Sequence, residues 1–226
     1  MLDRILETEA MDTPEEAASY DAMDHAEVNA RFVADFLPAH GPCRGGWLLD
    51  VGTGTARIPI QLCRQDTQAR VLGLDLARSM LDLGARNVDQ ADFSDRIRLE
   101  LADAKDLPAE WGPFEAVISN TIVHHIPEPA AVLKEMVRRV EPGGTLFVRD
   151  LTRPETREEL DRLVETHAGR EAGPARALFA DSLHAALSLQ EVRTLVGDLG
   201  LPPEGVTMTS DRHWTLVWRR PPLSPS

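Results

Sequence analysis

Three acidic residues stand at the ends of three short apolar runs: Asp50 in Leu48-Leu49-Asp50-Val51, Asp75 in Gly73-Leu74-Asp75-Leu76, and Asp103 in Leu101-Ala102-Asp103-Ala104. A carboxylate in such a place accepts hydrogen bonds and attracts cationic or hydroxyl-bearing ligands. Asp50 leads directly into Gly52-Thr53-Gly54-Thr55-Ala56. Glycines let the backbone turn sharply and let a ligand lie against it. A dinucleotide loop would want a small residue where Arg57 stands. Ala56 fits instead a tighter Asp-x-Gly-x-Gly-x-Gly loop, with alanine replacing the last glycine. Asp75 can accept from both hydroxyls of a ribose, or cap the helix that begins at Ala77, or do both. Asp103 can accept from an exocyclic adenine amine, or merely end its strand.

A second group of polar residues lies further along. Asn120 and Thr121 follow a fourth apolar run, and His124-His125 come next. A neutral imidazole can take a proton from a phenol, an amine or a carbon acid, or it can shape the loop by bonding to backbone. Arg149 and Asp150 end a fifth apolar run. Asp150 can orient a substrate, act as a base, or pair with Arg153. No metal site is expected. Adjacent histidines cannot both face one ion on regular structure, and no second carboxylate is placed to share a magnesium ion with Asp150.

These residues need a scaffold that brings strand ends together, and the hydrophobic pattern supplies one. Thr13, Pro14 and Glu16 form a helix start, and Val28, Phe32, Val33, Phe36 and Leu37 recur at helical spacing. Pro38, Gly41, Pro42 and Gly45-Gly46 then break the chain. From Trp47 short apolar runs alternate with amphipathic stretches. Strands are expected at Trp47 to Val51, Arg70 to Leu74, Ile97 to Leu101, Ala116 to Ser119 and Leu146 to Leu151. Helices are expected between them, ending near Arg64 and Ala91 and covering Ala130 to Val140, with Pro142-Gly143-Gly144 as a tight turn. Such alternation implies parallel pairing in a doubly wound α/β sheet.

After Leu151 the rhythm changes. A helix opens at Thr152-Arg153-Pro154-Glu155 and runs towards His167, a second covers Pro174 to Leu187, and Ser188 with Glu191 caps a third that ends near Gly200. Val206 to Ser210 and His213 to Arg219, joined by Asp211-Arg212, read as a closing hairpin with the last strand antiparallel. In the second helix Phe179, Leu183 and Leu187 share a face that reads as core. His184 in that stripe is either a satisfied core histidine or a side chain aimed into a cleft. His213 and Trp214 at the hairpin are read as packing residues, with substrate contact as the alternative.

Composition narrows the partners. The chain of 226 residues carries 24 Lys plus Arg against 37 Asp plus Glu, a net charge of −13. That charge repels phosphate backbones and anionic membranes, so neither nucleic acid nor membrane is expected as a partner. Cys43 and Cys63 form no zinc or disulfide framework. No run approaches the ~18 apolar residues needed to cross a bilayer, and Met1 to Ala10 has no apolar signal core. A cytoplasmic, single-domain protein is expected, as monomer or homodimer.

Taken in order, the motifs resemble the class I S-adenosylmethionine-dependent methyltransferase family. Asp50 to Ala56 is similar to its glycine loop, Leu72 to Met80 to its ribose segment, and Leu101 to Ala104 to its adenine segment. Phe114 to Asn120 and Glu141 to Leu146 are similar to its fourth-strand segment and the turn before its fifth strand. Ser119 to Pro127 resembles the small-molecule branch that includes ubiquinone and menaquinone methyltransferases. The resemblance implies a Rossmann-like sheet of seven strands with an antiparallel last strand. It implies a helical lid over 1–46, a cofactor core over 47–151, a helical substrate cap over 152–187, and a last helix with the closing hairpin over 188–226. It implies S-adenosyl-L-methionine as cofactor, S-adenosyl-L-homocysteine as product, and a small-molecule methyl acceptor attacked in line. Asp50, Gly52, Thr53, Gly54, Asp75, Leu76, Met80, Asp103, Ala104, Asn120 and Thr121 would hold the cofactor. His124, His125 and Asp150 are the candidates for catalysis, and Tyr20, His25, Asn29 and Arg31 for the lid. Another transferred group, a non-catalytic binding role, an RNA substrate and a nicotinamide-dependent oxidoreductase are the alternatives. The charge opposes the RNA substrate and Arg57 the nicotinamide cofactor.

Overall fold

The computed structural model describes residues 2–7, 12–22, 26–171 and 173–223. Among them α1 (Pro14–Ala22) and α2 (Ala26–His40) precede the alternating region. That region runs β1 (Trp47–Val51), α3 (Arg57–Gln65), β2 (Arg70–Asp75), α4 (Arg78–Gln90), β3 (Ile97–Leu101), β4 (Phe114–Asn120), α5 (Pro129–Arg139) and β5 (Val140–Leu151). Then come α6 (Arg157–Ala168), α7 (Gly173–Ala185), α8 (Leu189–Asp198), β6 (Val206–Met208) and β7 (His213–Arg219). The sheet has seven strands in the order β3-β2-β1-β4-β5-β7-β6. β1 pairs in parallel with β2 and β4, and β2 with β3, whereas β6 and β7 are antiparallel. This is the expected Rossmann-like α/β sheet, with its order reversing beside β1. That reversal is where such sheets bind ligands, beyond the carboxyl ends of the strands.

Several boundaries differ from the expectation, each for a local reason. The helix expected to open at Thr152 begins instead after Thr156, whose hydroxyl accepts from the Glu159 amide. Thr152 is drawn into a bridge with Leu187. The expected turn at Pro142-Gly143-Gly144 is absorbed into β5, where Gly143 and Gly144 exchange backbone bonds with Arg220. Helix α2 continues through Pro38 to His40 and stops at Gly41, which has φ +89°. The proline removes one hydrogen bond, while Phe36 and His40 on either side remain buried.

The chain divides into two compact units. The larger comprises residues 10–120, 131–148 and 217–226. Its core gathers Leu48 from β1, Val71 from β2, and Ala116 and Ile118 from β4 with Phe32, Phe36 and Phe147. Phe147 meets the other two rings edge-on at 5.1 and 5.6 Å, the geometry that aromatic quadrupoles favour. The smaller comprises residues 1–9, 121–130 and 149–216. Leu151, Leu160, Leu163, Val164, Leu183 and Ala186 make its core, with Phe179 packed against them. Leu183 and Phe179 are therefore the packing residues that their spacing implied.

Candidate functional site

In the larger unit β1 delivers Asp50 into the glycine loop. Gly52 (φ +75°) and Gly54 (φ +53°) take left-handed conformations that side chains resist. Ala56 takes one too, at φ +62°, a strained choice for a residue with a Cβ. Close approach is the second demand. A Cβ on Gly73 of β2 would lie 2.6 Å from the Thr53 hydroxyl, so that glycine lets the loop settle on β2. The amides of Gly52 and Thr53 then both donate to the Leu74 carbonyl.

The loop's carboxylates differ in environment. Asp50 is 1% exposed and accepts from the Thr53 hydroxyl at 2.7 Å. Burial pushes its pKa up to about 7, a rise that the Thr53 bond opposes and the nearby Asp75 charge assists. Asp75 is half-buried and accepts from the amides of Gly54 (2.8 Å) and Ala77 (2.9 Å). It therefore caps α4 and ties down the loop at once. Burial still holds its carboxyl above the ordinary range.

A cavity of about 290 Å³ opens beside the loop. Gly52, Thr53, Gly54, Asn120, Tyr20 and Asn29 line it, together with the ion pair Asp21–Arg57. The Tyr20 ring lies against the face of Gly54. Burial and the charges of Asp75, Asp21 and Asp50 raise its hydroxyl pKa, so the phenol stays neutral.

The other expected cofactor residues are placed differently. Met80 is buried with Ala17 and Ala77. Leu76 is 43% exposed. Asp103 caps its own turn by accepting from the Lys105 amide at 2.9 Å. Ala104, its neighbour in that turn, is half-buried and does not line the cavity. Thr121 lies in the smaller unit, where its amide donates to the Arg149 carbonyl. His25 falls outside the described residues. Arg31 pairs with Asp35 one turn on.

The smaller unit organises itself around Asp150, also 1% exposed. Its carboxylate accepts from the amides of Val123, His124 and Leu151 and from His124 Nδ1 at 2.6 Å. Burial works to raise its pKa, but the His124 charge and the N–H donors outweigh it, so Asp150 stays ionised. The same partner holds the His124 pKa above its ordinary value against burial. Asp150 does not pair with Arg153, which reaches Glu191 at 2.7 Å. Arg149 turns away to the Thr215 hydroxyl. His213 bonds Ser210 at 2.9 Å and is driven down to about 4 by burial, so it stays neutral in a turn.

The tight turn Val123–His125 swings both imidazoles the same way. Their rings stand 4.0 Å apart, centroid to centroid. Glu7 Oε1 lies 3.4 Å from His124 Nε2 and 3.1 Å from His125 Nδ1. The expectation that adjacent histidines must diverge is thus overturned, because in this single short turn both rings reach the same Glu7 carboxylate. Glu7 was missed because its segment shows no periodicity or motif. Its place is set by Arg4, whose guanidinium donates to the carbonyls of Ala185, His124 and Ile126. Asp21 and Arg57 were missed for the same kind of reason. Each is ordinary alone, and only the folded chain joins them. His184 lines a second cavity with Ile5, Leu6, Glu7 and Asp181, apart from the glycine loop.

Residues 48–144 match the methyltransferase domain family. The chain is 28% identical over 193 residues to the 27-O-demethylrifamycin SV methyltransferase of Amycolatopsis mediterranei, covering 83% of this chain and 67% of that protein. It is 26% identical over 110 residues to the ubiquinone/menaquinone biosynthesis C-methyltransferase of Geotalea daltonii, covering 48% and 47%. The chain thus spans about half the length of most of the curated relatives it matches. In structure it is similar to a SAM-dependent methyltransferase from Aquifex aeolicus, with a TM-score of 0.65 and 16% identity over 92% of this chain and 99% of the other. That likeness places the fold.

Proposed function

We propose that this chain, whose residues 48–144 match the methyltransferase domain family, transfers a methyl group in line from S-adenosyl-L-methionine to a small molecule. The observation that carries this reading is the cavity on the glycine loop. One wall is backbone at Gly52 and Gly54, the surroundings are acidic at Asp21, Asp50 and Asp75, and two cations line it, Arg57 in its pair with Asp21 and Arg64. S-adenosylmethionine carries a sulfonium, an ammonium and a carboxylate, so it needs mostly anionic surroundings with one positive partner. Asp75 supplies carboxylate oxygens for ribose hydroxyls. Asn120 and Thr53 offer polar side chains to the amino-acid end. Asp50 steadies Thr53 from beneath.

When bound, the cofactor supplies an already activated methyl group, so the protein's work is alignment and exclusion of water. Leu76 and Met80 are proposed to flank the ribose, Asp103 and Ala104 the adenine end, and Thr121 the methionine end. Among the three catalytic candidates, Asp150 and His124 are committed to each other. The third candidate, His125, is 20% exposed. The net charge of −13 favours a small acceptor over RNA. A cytoplasmic setting agrees with the absence, among the described residues, of any helix long and apolar enough to cross a membrane.

Calorimetric titration with S-adenosylmethionine, S-adenosylhomocysteine and NAD tests the reading. Binding of both sulfur nucleotides and not of NAD is expected. Binding of NAD alone, or of none of the three, would overturn it.

A further inference from the structure

We propose that Glu7, His124 and His125 form a binding site for a divalent transition-metal ion of the zinc type. The ligand atoms are Glu7 Oε1, His124 Nε2 and His125 Nδ1, all within 4.8 Å of one another. The two distances to the carboxylate oxygen are 3.4 and 3.1 Å. A tetrahedral ion about 2.0–2.1 Å from each ligand holds neighbouring ligand atoms roughly 3.3–3.4 Å apart. The two distances to the carboxylate oxygen are therefore already close to the spacing that such an ion imposes, and the two imidazole nitrogens lie within 4.8 Å of each other.

Hydrogen bonding points the same way. His124 Nδ1 lies 2.6 Å from Asp150. That bond keeps Nδ1 as the donor to Asp150 and aims Nε2 at Glu7, so that a metal ion displacing the Nε2 proton would meet its lone pair there. Carboxylate–histidine–metal arrangements use this outer bond to orient the ring and raise its basicity. Neither Glu7 Oε1 nor His125 Nδ1, both buried, makes an aligned hydrogen bond. Three lone-pair-bearing atoms facing one another favour a cation in their midst. Charge also balances, since the carboxylates of Glu7 and Asp150 offset a divalent ion beside two neutral imidazoles.

The site is built rather than incidental. Arg4 fastens the Glu7 segment to three backbone carbonyls, and Ile5 adds a backbone bond to His184. The cavity beside Glu7, about 490 Å³ and bordered by Asp181 and His184, leaves room for a fourth ligand. Catalytic zinc sites keep such a position open for water or substrate. A second trio, His40, Cys43 and Glu115, also meets within ligand reach. There Glu115 is taken by the amides of Arg44 and Gly46, and His40 Nδ1 by Thr145. Its lone pairs are already spent.

The inference goes beyond the transferase reading and does not rest on it, and its test uses metal alone. Tag-free, chelator-treated full-length chain is titrated calorimetrically with Zn²⁺, and with Mg²⁺ as the oxygen-preferring control. One zinc per chain and no measurable magnesium are expected. Glu7→Gln and His125→Ala should each weaken zinc by at least ~10–100-fold. His167→Ala, which removes a histidine paired with Asp211, should leave zinc affinity unchanged. Co²⁺ in place of zinc reports its ligands through visible absorption, independently of stability. The wild type should show intense tetrahedral bands that Glu7→Gln abolishes. Absence of stoichiometric zinc, zinc affinity equal to wild type in both ligand variants, or a cobalt spectrum of the free aqueous ion would overturn the proposal.

Discussion

Asp50 in the larger unit and Asp150 in the smaller are equally buried, at 1% exposure each, yet their pKa values move in opposite directions. Asp50 has one side-chain donor, Thr53, and a carboxylate neighbour, and its pKa rises to about 7. Asp150 receives three amides and an imidazole and stays well ionised. Burial is common to both, so the donors decide. Helix starts divide the same way. In the smaller unit α6 and α8 are capped by Thr156 and Ser188, the latter in a full capping box with Glu191. In the larger unit α3 begins at Ala56 with no capping side chain, and the start of α4 is held from further off, by Asp75 on the Ala77 amide and Asp12 on the Ser79 amide. The smaller unit satisfies Asp150 fully, while Glu7 Oε1 and His125 Nδ1 beside it make no aligned hydrogen bond. The larger keeps a carboxyl of raised pKa, Asp50, beneath the glycine loop that lines its cavity.

Removing the best-satisfied group should cost most. Asp150→Ala strands His124 and two amides of the turn, and is expected to destabilise the protein by about 3–5 kcal/mol in urea unfolding. A loss under about 1 kcal/mol would erase the contrast between the two aspartates. The effect has a defined pH window. The folded pKa of Asp150 is depressed, so its contribution is present above the unfolded value near 3.9 and lost as pH falls through the folded one. The folded pKa of His124 is raised, so its contribution is present below about 6.5 and lost as pH rises through the folded value. The gap between wild type and variant should be widest between these limits.

Asp50 predicts the reverse sign. The folded state keeps its proton to about pH 7, whereas the unfolded chain loses it near 3.9, so ionisation costs stability as pH rises across that interval. Asp50→Asn should therefore be more stable than wild type at pH 8, by roughly 2–4 kcal/mol, with the advantage vanishing near pH 4. Thermal melts at the two pH values check this, and a variant less stable at pH 8 would show that its charge is compensated.

Asp75→Ala tests whether the larger unit's acids serve a ligand. S-adenosylhomocysteine should bind about 10–150-fold more weakly, the equivalent of roughly 1.5–3 kcal/mol for bonds to a charged group. Unchanged affinity would reduce Asp75 to a helix cap. Ser188→Ala, which removes a cap from the smaller unit, should cost about 1 kcal/mol in the same urea measurement. The smallest expected effect is that of His125→Ala on S-adenosylhomocysteine affinity, which calorimetry should find unaltered. A collapse of cofactor binding there would make the histidine turn structural to the loop.

Much of the frame was readable from the chain. The alternation of short apolar runs with amphipathic stretches placed all five parallel-type strands and the closing hairpin. Asp50, Gly52, Gly54 and Asp75 declared themselves because strand-end acid and left-handed glycine are short-range signals. Two helix starts show the limit of that kind of reading. Ser188 with Glu191 and Thr156 with Glu159 are both capping patterns, but Thr152 with Glu155 offers a third. Only the bridge from Thr152 to Leu187 excludes it.

What the sequence determines by itself, then, is whatever a few neighbouring residues decide: periodicity, caps, the bend at Gly52-Thr53-Gly54, and a strongly acidic surface. What the tertiary structure alone decided is partnership. Asp150 could have met Arg153, and it met His124. Arg4 binds the His124 carbonyl across 120 residues of chain and so brings Glu7 to two histidines that sequence logic kept apart. Local preferences are set by sterics within one turn or strand, whereas such pairs depend on chain closure, which no short window encodes.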